Sequence, residues 1–444
     1  MTIARTICLS FLVVIAVGTI LLMLPFATAT GTWNDPIVAF FTSTSAVCVT
    51  GLAVVDTGSY FSFWGQLFIL LLIQVGGLGY MMITTFLILL IRGRFNLRRK
   101  VAIQESFDRP FLQGSKNLVA SILATTLVFE ITGIIALFNI FSSDYESLYA
   151  LWLAIFHSIS AWNNAGFSLF SDSLVTYRIS LGINFIITGL IIFGGLGYQT
   201  IIEIYSFLLH LLKRKQARFV FSLNFKVVTS TTLVLLALGT VAFFFIVIDT
   251  TDAFSQLSLE DKLITAWFQS VTTRTAGFNT IDFGQMTTAA LFITMGFMFI
   301  GASPSGTGGG IKTTTLRVII SCTRAILRGK EEVILYQRQV PLNLILKAVG
   351  VVFGSGVTIV VATILISSTD ANFEFIELFF EVISAFSTVG LSTGITASIS
   401  AMGKLVLICS MYIGRVGVLL LMAAIFGDPK PSLIEYPEQN LLVG

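Results

Sequence analysis

Residues 41–52 read FTSTSAVCVTGL, a run of small hydroxyl-bearing and apolar residues closed by a glycine and a leucine. The pattern returns three times, as FHSISAWNNAGF at 156–167, WFQSVTTRTAGF at 267–278 and FEVISAFSTVGL at 380–391. In all four segments an aromatic residue stands ten positions before the glycine. The glycines Gly51, Gly166, Gly277 and Gly390 lie 115, 111 and 113 residues apart, a period regular enough to mark an internal fourfold repeat.

Long apolar runs flank each segment: 7–25, 61–91, 118–141, 181–212, 227–248, 286–300 continuing to 327, 342–366 and 404–426. A helix needs roughly 20 residues to cross ~30 Å of hydrocarbon, so these runs read as eight spans. The first run is too long for the core of a signal peptide. Composition agrees, since 444 residues that are 55% hydrophobic and 11% charged cannot cover a water-facing surface with polar groups. The segments around the glycines have about a dozen residues, too few to span, and must enter and leave on one side. The expected fold is therefore an all-α integral membrane protein. It has four tandem helix–pore loop–helix repeats, 1–100, 101–216, 217–335 and 336–444, with four re-entrant pore helices around one central pore.

Two spans per repeat return the chain to its starting side, so the repeats share one orientation and relate by rotation about the membrane normal. Many secondary carriers are built instead from inverted repeats. Irregular backbone at membrane depth is tolerated where protein buries it or water lines it, and four loops meeting on an axis offer both. The carbonyls of Val49-Thr50-Gly51, Asn164-Ala165-Gly166, Thr275-Ala276-Gly277 and Thr388-Val389-Gly390 can then replace the hydration shell of a cation. Glycine brings that backbone to the axis with no side chain in the way. Asp35, Asp261 and Glu374, each sixteen residues before its glycine, read as helix caps or as a cation-attracting vestibule. Arg274 reads as external, either shaping an outer mouth or simply solvated.

Charge sorts by loop. Segments 92–116, 213–226 and 324–347, with both ends of the chain, hold most of the 26 basic residues, and the alternate loops are acidic. Both termini are therefore expected in the cytoplasm. The four cysteines are scattered through apolar segments and show neither a disulfide framework nor a zinc pattern. His157 and His210 are too few and too far apart for a metal site. No organic cofactor and no nucleic-acid partner is expected.

A second mark follows each glycine: Gly76-Gly77-Leu78-Gly79, Gly194-Gly195-Leu196-Gly197, Gly301-Ala302-Ser303 and Gly414-Arg415-Val416-Gly417. The first two read as small residues that allow close helix packing. The third opens GASPSGTGGGIK at 301–312, five glycines and a proline where one spanning helix should run, and no straight helix survives that. It is a poor phosphate loop, because Ile311 stands where a glycine is required and the flanks are apolar spans. A gate below the filter is the better reading, built from Gly301, Ser303, Ser305, Gly306, Thr307, Gly308, Gly309, Gly310 and Lys312. Arg415 lies inside the last span, where a charge must find partners. It is expected to hold that loop or to form an electrostatic barrier, the alternative being a structural pairing with Glu130 or Glu203.

Taken together, VTGLAVVDTG (49–58), SAWNNAGFSL (160–169), TTRTAGFNTIDF (272–283), SAFSTVGL (384–391) and the 301–312 loop resemble the Trk, Ktr and plant HKT superfamily of potassium transporters, most of all its Ktr-type membrane subunits. The resemblance covers nearly the whole chain. It implies potassium (K+) uptake across a bacterial plasma membrane by a homodimer with one pore per subunit. It also implies a ring of cytoplasmic nucleotide-binding regulatory subunits of the KtrA type, and gating by the broken third-repeat helix with the arginine of the last span. Glycine at all four filter positions implies a preference for K+, because serine at the first marks sodium-preferring relatives. Sodium (Na+) activates some relatives, and these residues do not decide the matter. Pro304 departs from the relatives' gate loop. No soluble domain is expected within these residues, so a regulator would dock on basic segments such as Lys213-Arg214-Lys215, although topology alone is the simpler explanation of their charge. The rival from another class is an ion-coupled secondary carrier, for which Glu130 and Glu203 are the acidic candidates.

Overall fold

The structure, a computed structural model, describes residues 3–92, 115–213, 219–249 and 257–427. Arg214 and Lys215 of the expected docking segment, most of the 92–116 loop and the tail beyond 427 lie outside these residues. Among the described residues, and leaving aside the single turn Thr57–Tyr60, fifteen helices make up the frame: α1 (Ile3–Met23), α2 (Pro36–Cys48), α3 (Phe63–Arg92), α4 (Ser115–Asp144), α5 (Ser147–Trp162), α6 (Leu181–Leu196), α7 (Tyr198–Leu212), α8 (Leu223–Asp249), α9 (Leu259–Thr272), α10 (Thr288–Phe299), α11 (Thr313–Ile326), α12 (Leu342–Thr369), α13 (Phe375–Phe386), α14 (Ala401–Val416) and α15 (Val418–Phe426).

Among the described residues, Ala4–Met23, Ala120–Asp144, Leu223–Ile246 and Leu342–Thr369 are continuous helical stretches long and apolar enough to cross a membrane. They belong to α1, α4, α8 and α12, the helix that precedes each glycine segment. The helix that follows each segment is broken. The runs 181–212 and 404–426, expected as single spans, bend by 101° between α6 and α7 and by 93° between α14 and α15. The cause lies in one residue of each marked motif: Gly197 (φ 85°, ψ 144°) and Gly417 (φ 87°, ψ 138°) leave the helical region, as does Gly79 (φ 73°, ψ 153°) within α3. That conformation is open to glycine and nearly closed to other residues. The first two motifs were expected to serve only helix packing, but their glycines, like those of the fourth, do two jobs. Gly76, Gly194 and Gly414 pack against the carbonyls of Val47, Trp162 and Phe386 at the ends of α2, α5 and α13, while the last glycine of each motif breaks the helix.

Each short helix packs on the continuous helix before it: α2 on α1, α5 on α4, α9 on α8 and α13 on α12. Each also packs on the broken helix of the preceding segment, α5 on α3, α9 on α6 and α13 on α10, and α2 closes the circle on α14. The N-terminal and C-terminal helices meet, Arg5 Nε donating to Ala424 O at 2.7 Å and Tyr412 Oη to Cys8 O at 2.9 Å.

Burial is concentrated inward, with Phe41, Phe156, Phe268 and Phe380 on the short helices fully buried. Outward, Leu12, Ile20, Phe63, Leu127, Phe185, Leu233, Phe353 and Ile364 stay exposed. In water such a surface would drive association; around a multi-pass membrane protein it meets lipid. One departure from an all-helical chain occurs in the basic segment 324–347. There Ile334–Leu335 pairs antiparallel with Arg338–Gln339 through a turn with positive φ at Tyr336 and Gln337, and Val333, Leu335 and Val340 pack on Val227 and Ala325.

Candidate functional site

The four glycine turns share one geometry. Each short helix ends within five residues of its glycine, and its last turn points into the turn that follows. Gly51, Gly166, Gly277 and Gly390 all have positive φ, between 69° and 93°. So do the residues two positions before them, Val49 (56°), Asn164 (57°), Thr275 (74°) and Thr388 (50°). Positive φ is costly for β-branched residues such as valine and threonine, and such strain persists only where surrounding structure imposes it. Hydroxyls from the short helices impose part of it. Ser45 Oγ and Ser384 Oγ each accept from the glycine N–H at 3.1 Å, and Ser160 Oγ donates to Phe167 O at 2.8 Å. The recurring serine six positions before Gly51, Gly166 and Gly390 was legible in the repeat, although its task was not.

The turns form a closed ring. A Cβ on Gly51 would strike the carbonyl of Ala165; on Gly166, that of Ala276; on Gly277, that of Val389; and on Gly390, that of Thr50. Each glycine therefore lies against the next segment's carbonyl, and the fourth returns to the first. No side chain fits at any of these positions, so backbone alone faces backbone.

The third turn differs from the alignment that sequence suggests. Ser270 Oγ donates to Leu236 O as Ser43 Oγ does to Ile15 O and Ser158 Oγ to Glu130 O, all at 2.8 Å. Phe268, and not Trp267, thus matches Phe41, Phe156 and Phe380, and this segment is one residue shorter before its glycine. The caps shift with it. Asp35 accepts from Ile37 N and Val38 N, and Glu374 forms a capping box with Glu377, but Ser258 caps α9 and Asp261 accepts from the Ser258 hydroxyl at 2.7 Å.

Arg274 is not at an outer mouth. It follows the C-terminal end of α9, is 8% exposed, and lines a small cavity with Asn164, Gly195 and Ala302. Burial beside Gly195 and Ala302, on the side of the turn that faces the 301–312 loop, is what overturns the external reading.

Directly against the turns sits the 301–312 loop. Ser303 N donates to Gly195 O (3.0 Å) and Thr307 N to Gly194 O (3.2 Å), fixing the loop to the end of α6. Thr307 Oγ1 donates to Asn164 Oδ1 (3.1 Å), Gly309 N donates to Thr388 Oγ1 (3.0 Å), and Gly308 lies against Thr275 Oγ1. Three of the four strained positions thus touch it. Gly301 N donates to Ile311 O at 2.9 Å, Lys312 Nζ donates to Gly308 O at 2.7 Å, and Thr313 Oγ1 donates to Ser303 Oγ at 3.0 Å, folding the loop on itself. Ser305 O accepts from Tyr198 N at 3.3 Å, and Gly306 N donates to Ser303 O at 3.1 Å. Gly310 takes a positive φ of 66°. Arg415 joins the loop to the frame by donating to Thr307 O and to Gly76 O. Of its suggested acidic partners, Glu130 Oε1 accepts from Asn163 Nδ2 at 3.4 Å and Glu203 from Ser222 N at 3.0 Å.

Comparison with known proteins points the same way. The TrkH family, described as cation transport protein, matches residues 4–434. The chain is 35% identical to the Ktr system potassium uptake protein B of Bacillus subtilis, over 99% of this chain and 96% of that one. It is 37% identical to the protein of that name from Vibrio alginolyticus (99% and 94%), and 34% identical to the potassium/sodium uptake protein NtpJ of Enterococcus hirae (98% and 95%). In fold it resembles the crystal structure of the potassium transporter TrkH from Vibrio parahaemolyticus, with a TM-score of 0.71 at 19% identity, covering 95% of this chain and 84% of that one. With a family match across almost its full length and relatives above 30% identity, this chain belongs to the TrkH family of cation transport proteins.

Proposed function

We propose that the chain takes up K+ across the bacterial plasma membrane as the ion-conducting subunit of a Ktr-type system, with the four glycine turns as its selectivity filter. The observation that carries this reading is the closed ring, in which each glycine lies on the next segment's carbonyl. Carbonyl rings of this kind substitute for water around a dehydrated cation. The division into four units at 1–100, 101–216, 217–335 and 336–444 belongs to the same proposal, supported by the cyclic packing of short helices on broken ones. Four short helices that end toward the ring add the negative ends of their dipoles.

The 301–312 loop is the gate in this reading and Arg415 its latch, supported by the loop's contacts with Asn164, Thr275 and Thr388 and by the bond from Arg415 to Thr307 O. The proposal extends to a homodimer with cytoplasmic termini, regulated by a nucleotide-binding subunit of the KtrA type. The relatives' names, which speak of a Ktr system, support a multi-subunit assembly. Na+ enters this reading as an activator, and the potassium/sodium uptake protein of Enterococcus hirae supports a link between such proteins and Na+.

The test is K+ or rubidium uptake into cells lacking their own uptake systems, with and without a co-expressed regulatory subunit. The wild type is expected to prefer K+, and Gly51→Ser to lose much of that preference, because its hydroxymethyl group would meet Ala165 O. Unchanged selectivity in the variant would remove the filter assignment. Uptake strictly stoichiometric with Na+ or protons would favour the carrier reading instead.

A further inference from the structure

Behind the ring, three short helices carry a polar side chain that crosses to the chain emerging beyond the glycine. His157 Nε2 lies 3.0 Å from Ser168 Oγ, Gln269 Nε2 donates to Thr280 Oγ1 at 2.9 Å, and Ser392 Oγ donates to Glu381 Oε1 at 2.5 Å. In every pair the partners are eleven residues apart. Each polar residue directly follows one of the fully buried phenylalanines, Phe156, Phe268 or Phe380, and is itself fully buried. The position is therefore structurally the same, although an imidazole, an amide and a carboxylate fill it.

The bonding of His157 and of Glu381 is well defined, whereas Gln269 uses its Nε2 alone and leaves Oε1 buried without a partner. His157 Nδ1 is 2.8 Å from Leu153 O; a carbonyl only accepts, so Nδ1 carries the hydrogen and Nε2 is left to accept from the Ser168 hydroxyl. Glu381 also accepts from Thr393 N at 3.2 Å and from Thr396 Oγ1 at 2.8 Å, so it holds three groups of the emerging chain. The first segment breaks the rule. Phe41-Thr42 occupies the same place, but the residue eleven positions on is Ala53, which has no hydroxyl, and Thr42 Oγ1 is buried without a hydrogen bond.

A bonded polar group in a water-poor interior fixes both partners, because separating them leaves each unsatisfied. The braces tie the emerging chain to a helix, so three walls of the ring's outer end are held at a set distance and the wall after Gly51 is not. We propose that His157, Gln269 and Glu381 are positioning residues that set the width of the outer end of the ion path, and that the unbraced first wall is the one that yields to the size of the ion. The proposal rests on reading the four turns as a selectivity filter.

The experiment measures K+ and Na+ uptake separately in uptake-deficient cells for Glu381→Leu, Glu381→Gln, Gln269→Leu, Thr280→Val and Ala53→Ser, with Gly51→Ser in parallel. A merely structural role would lower both fluxes together and leave their ratio alone. A positioning role changes the ratio. Glu381→Leu and Gln269→Leu are expected to lower the K+ to Na+ preference by about tenfold, the scale on which one buried hydrogen bond acts. Glu381→Gln, which can still bond the hydroxyls, is expected to stay within about twofold of the parent. Ala53→Ser, which puts a hydroxyl at the matching position of the first segment, is expected to raise the preference. Thr280→Val removes one hydroxyl at nearly constant volume and decides the matter if the leucine variants do not reach the membrane. Unchanged ratios in Thr280→Val and Gln269→Leu, while Gly51→Ser shifts its own, would overturn the brace and leave the filter standing. An unshifted Gly51→Ser would overturn the filter reading itself.

Discussion

At the scale of single residues, the most informative positions are those where side chain and backbone disagree. Val49, Thr275 and Thr388 are β-branched and yet left-handed, whereas Asn164, at the matching place, is a residue type that tolerates that conformation. Val49→Asn is accordingly expected to fold with a stability within about 1 kcal/mol of the parent, and Val49→Pro to fail, because proline holds φ near −65°. Melting in detergent distinguishes them. Arg415 makes the second residue-scale prediction. Arg415→Gln removes the donors to Thr307 O and Gly76 O, and uptake in the absence of a regulatory subunit is expected to rise several-fold. Uptake unchanged in both size and regulation would end its role as a latch. The glycines, the strained loop and Arg415 were readable in the sequence because each violates a local rule for spanning helices. The burial of Arg274 was not, since a charged residue beside a turn reads the same whether it lies above or below it.

At the scale of elements, the four short helices and the glycine turns that follow them were legible from spacing, because a dozen residues closed by glycine cannot span. The breaks at Gly197 and Gly417 were hidden, as small residues in apolar helices serve packing as often as bending. They predict unequal costs. Gly417→Ala meets open space and faces only the conformational penalty, on the order of 1–2 kcal/mol. Gly197→Ala adds a clash with Pro304 O and is expected to lose clearly more, as judged by melting of the purified protein. Where the C-terminal end of α12 meets the N-terminal end of α14, Asp370 accepts from Ser400 N (2.6 Å) and Ser400 Oγ (2.8 Å). Burial pushes its pKa up, but the bonds from Thr369 and Ser400 and the charge of Lys404 outweigh that and hold it below the usual value. A depressed carboxylate stabilises the fold above its unfolded pKa and stops doing so as pH falls through its folded one. The stability gap between the parent and Asp370→Asn is therefore expected to be open at neutral pH and to close on acidification below the ordinary aspartate range, followed as melting temperature against pH.

At the scale of the whole molecule, the chain closes on itself, with α2 packed on α14 and Arg5 bonded to Ala424 O. This closure was beyond the sequence, which ranks the repeats in a line and says nothing of first meeting last. A circular permutant that joins the two ends by a flexible linker and opens within 213–226 is expected to retain K+ uptake, because the order of neighbours around the ring is unchanged. A chain cut off after residue 335 is expected to lose all uptake rather than a quarter of it, since Gly277 and Gly51 would each lose a neighbour. The 301–312 loop belongs to this scale too. Its moorings lie on Gly194 and Gly195, on Thr388, and on Arg415 with Gly76 behind it. Freeing one mooring leaves the others in place, so losing Arg415 alone is expected to raise uptake only part of the way to the fully open level. If the loop is the gate proposed above, full release requires several sides to let go together, which converts a graded mechanical input into a threshold, with the loop acting as a vote counter among the segments that hold it.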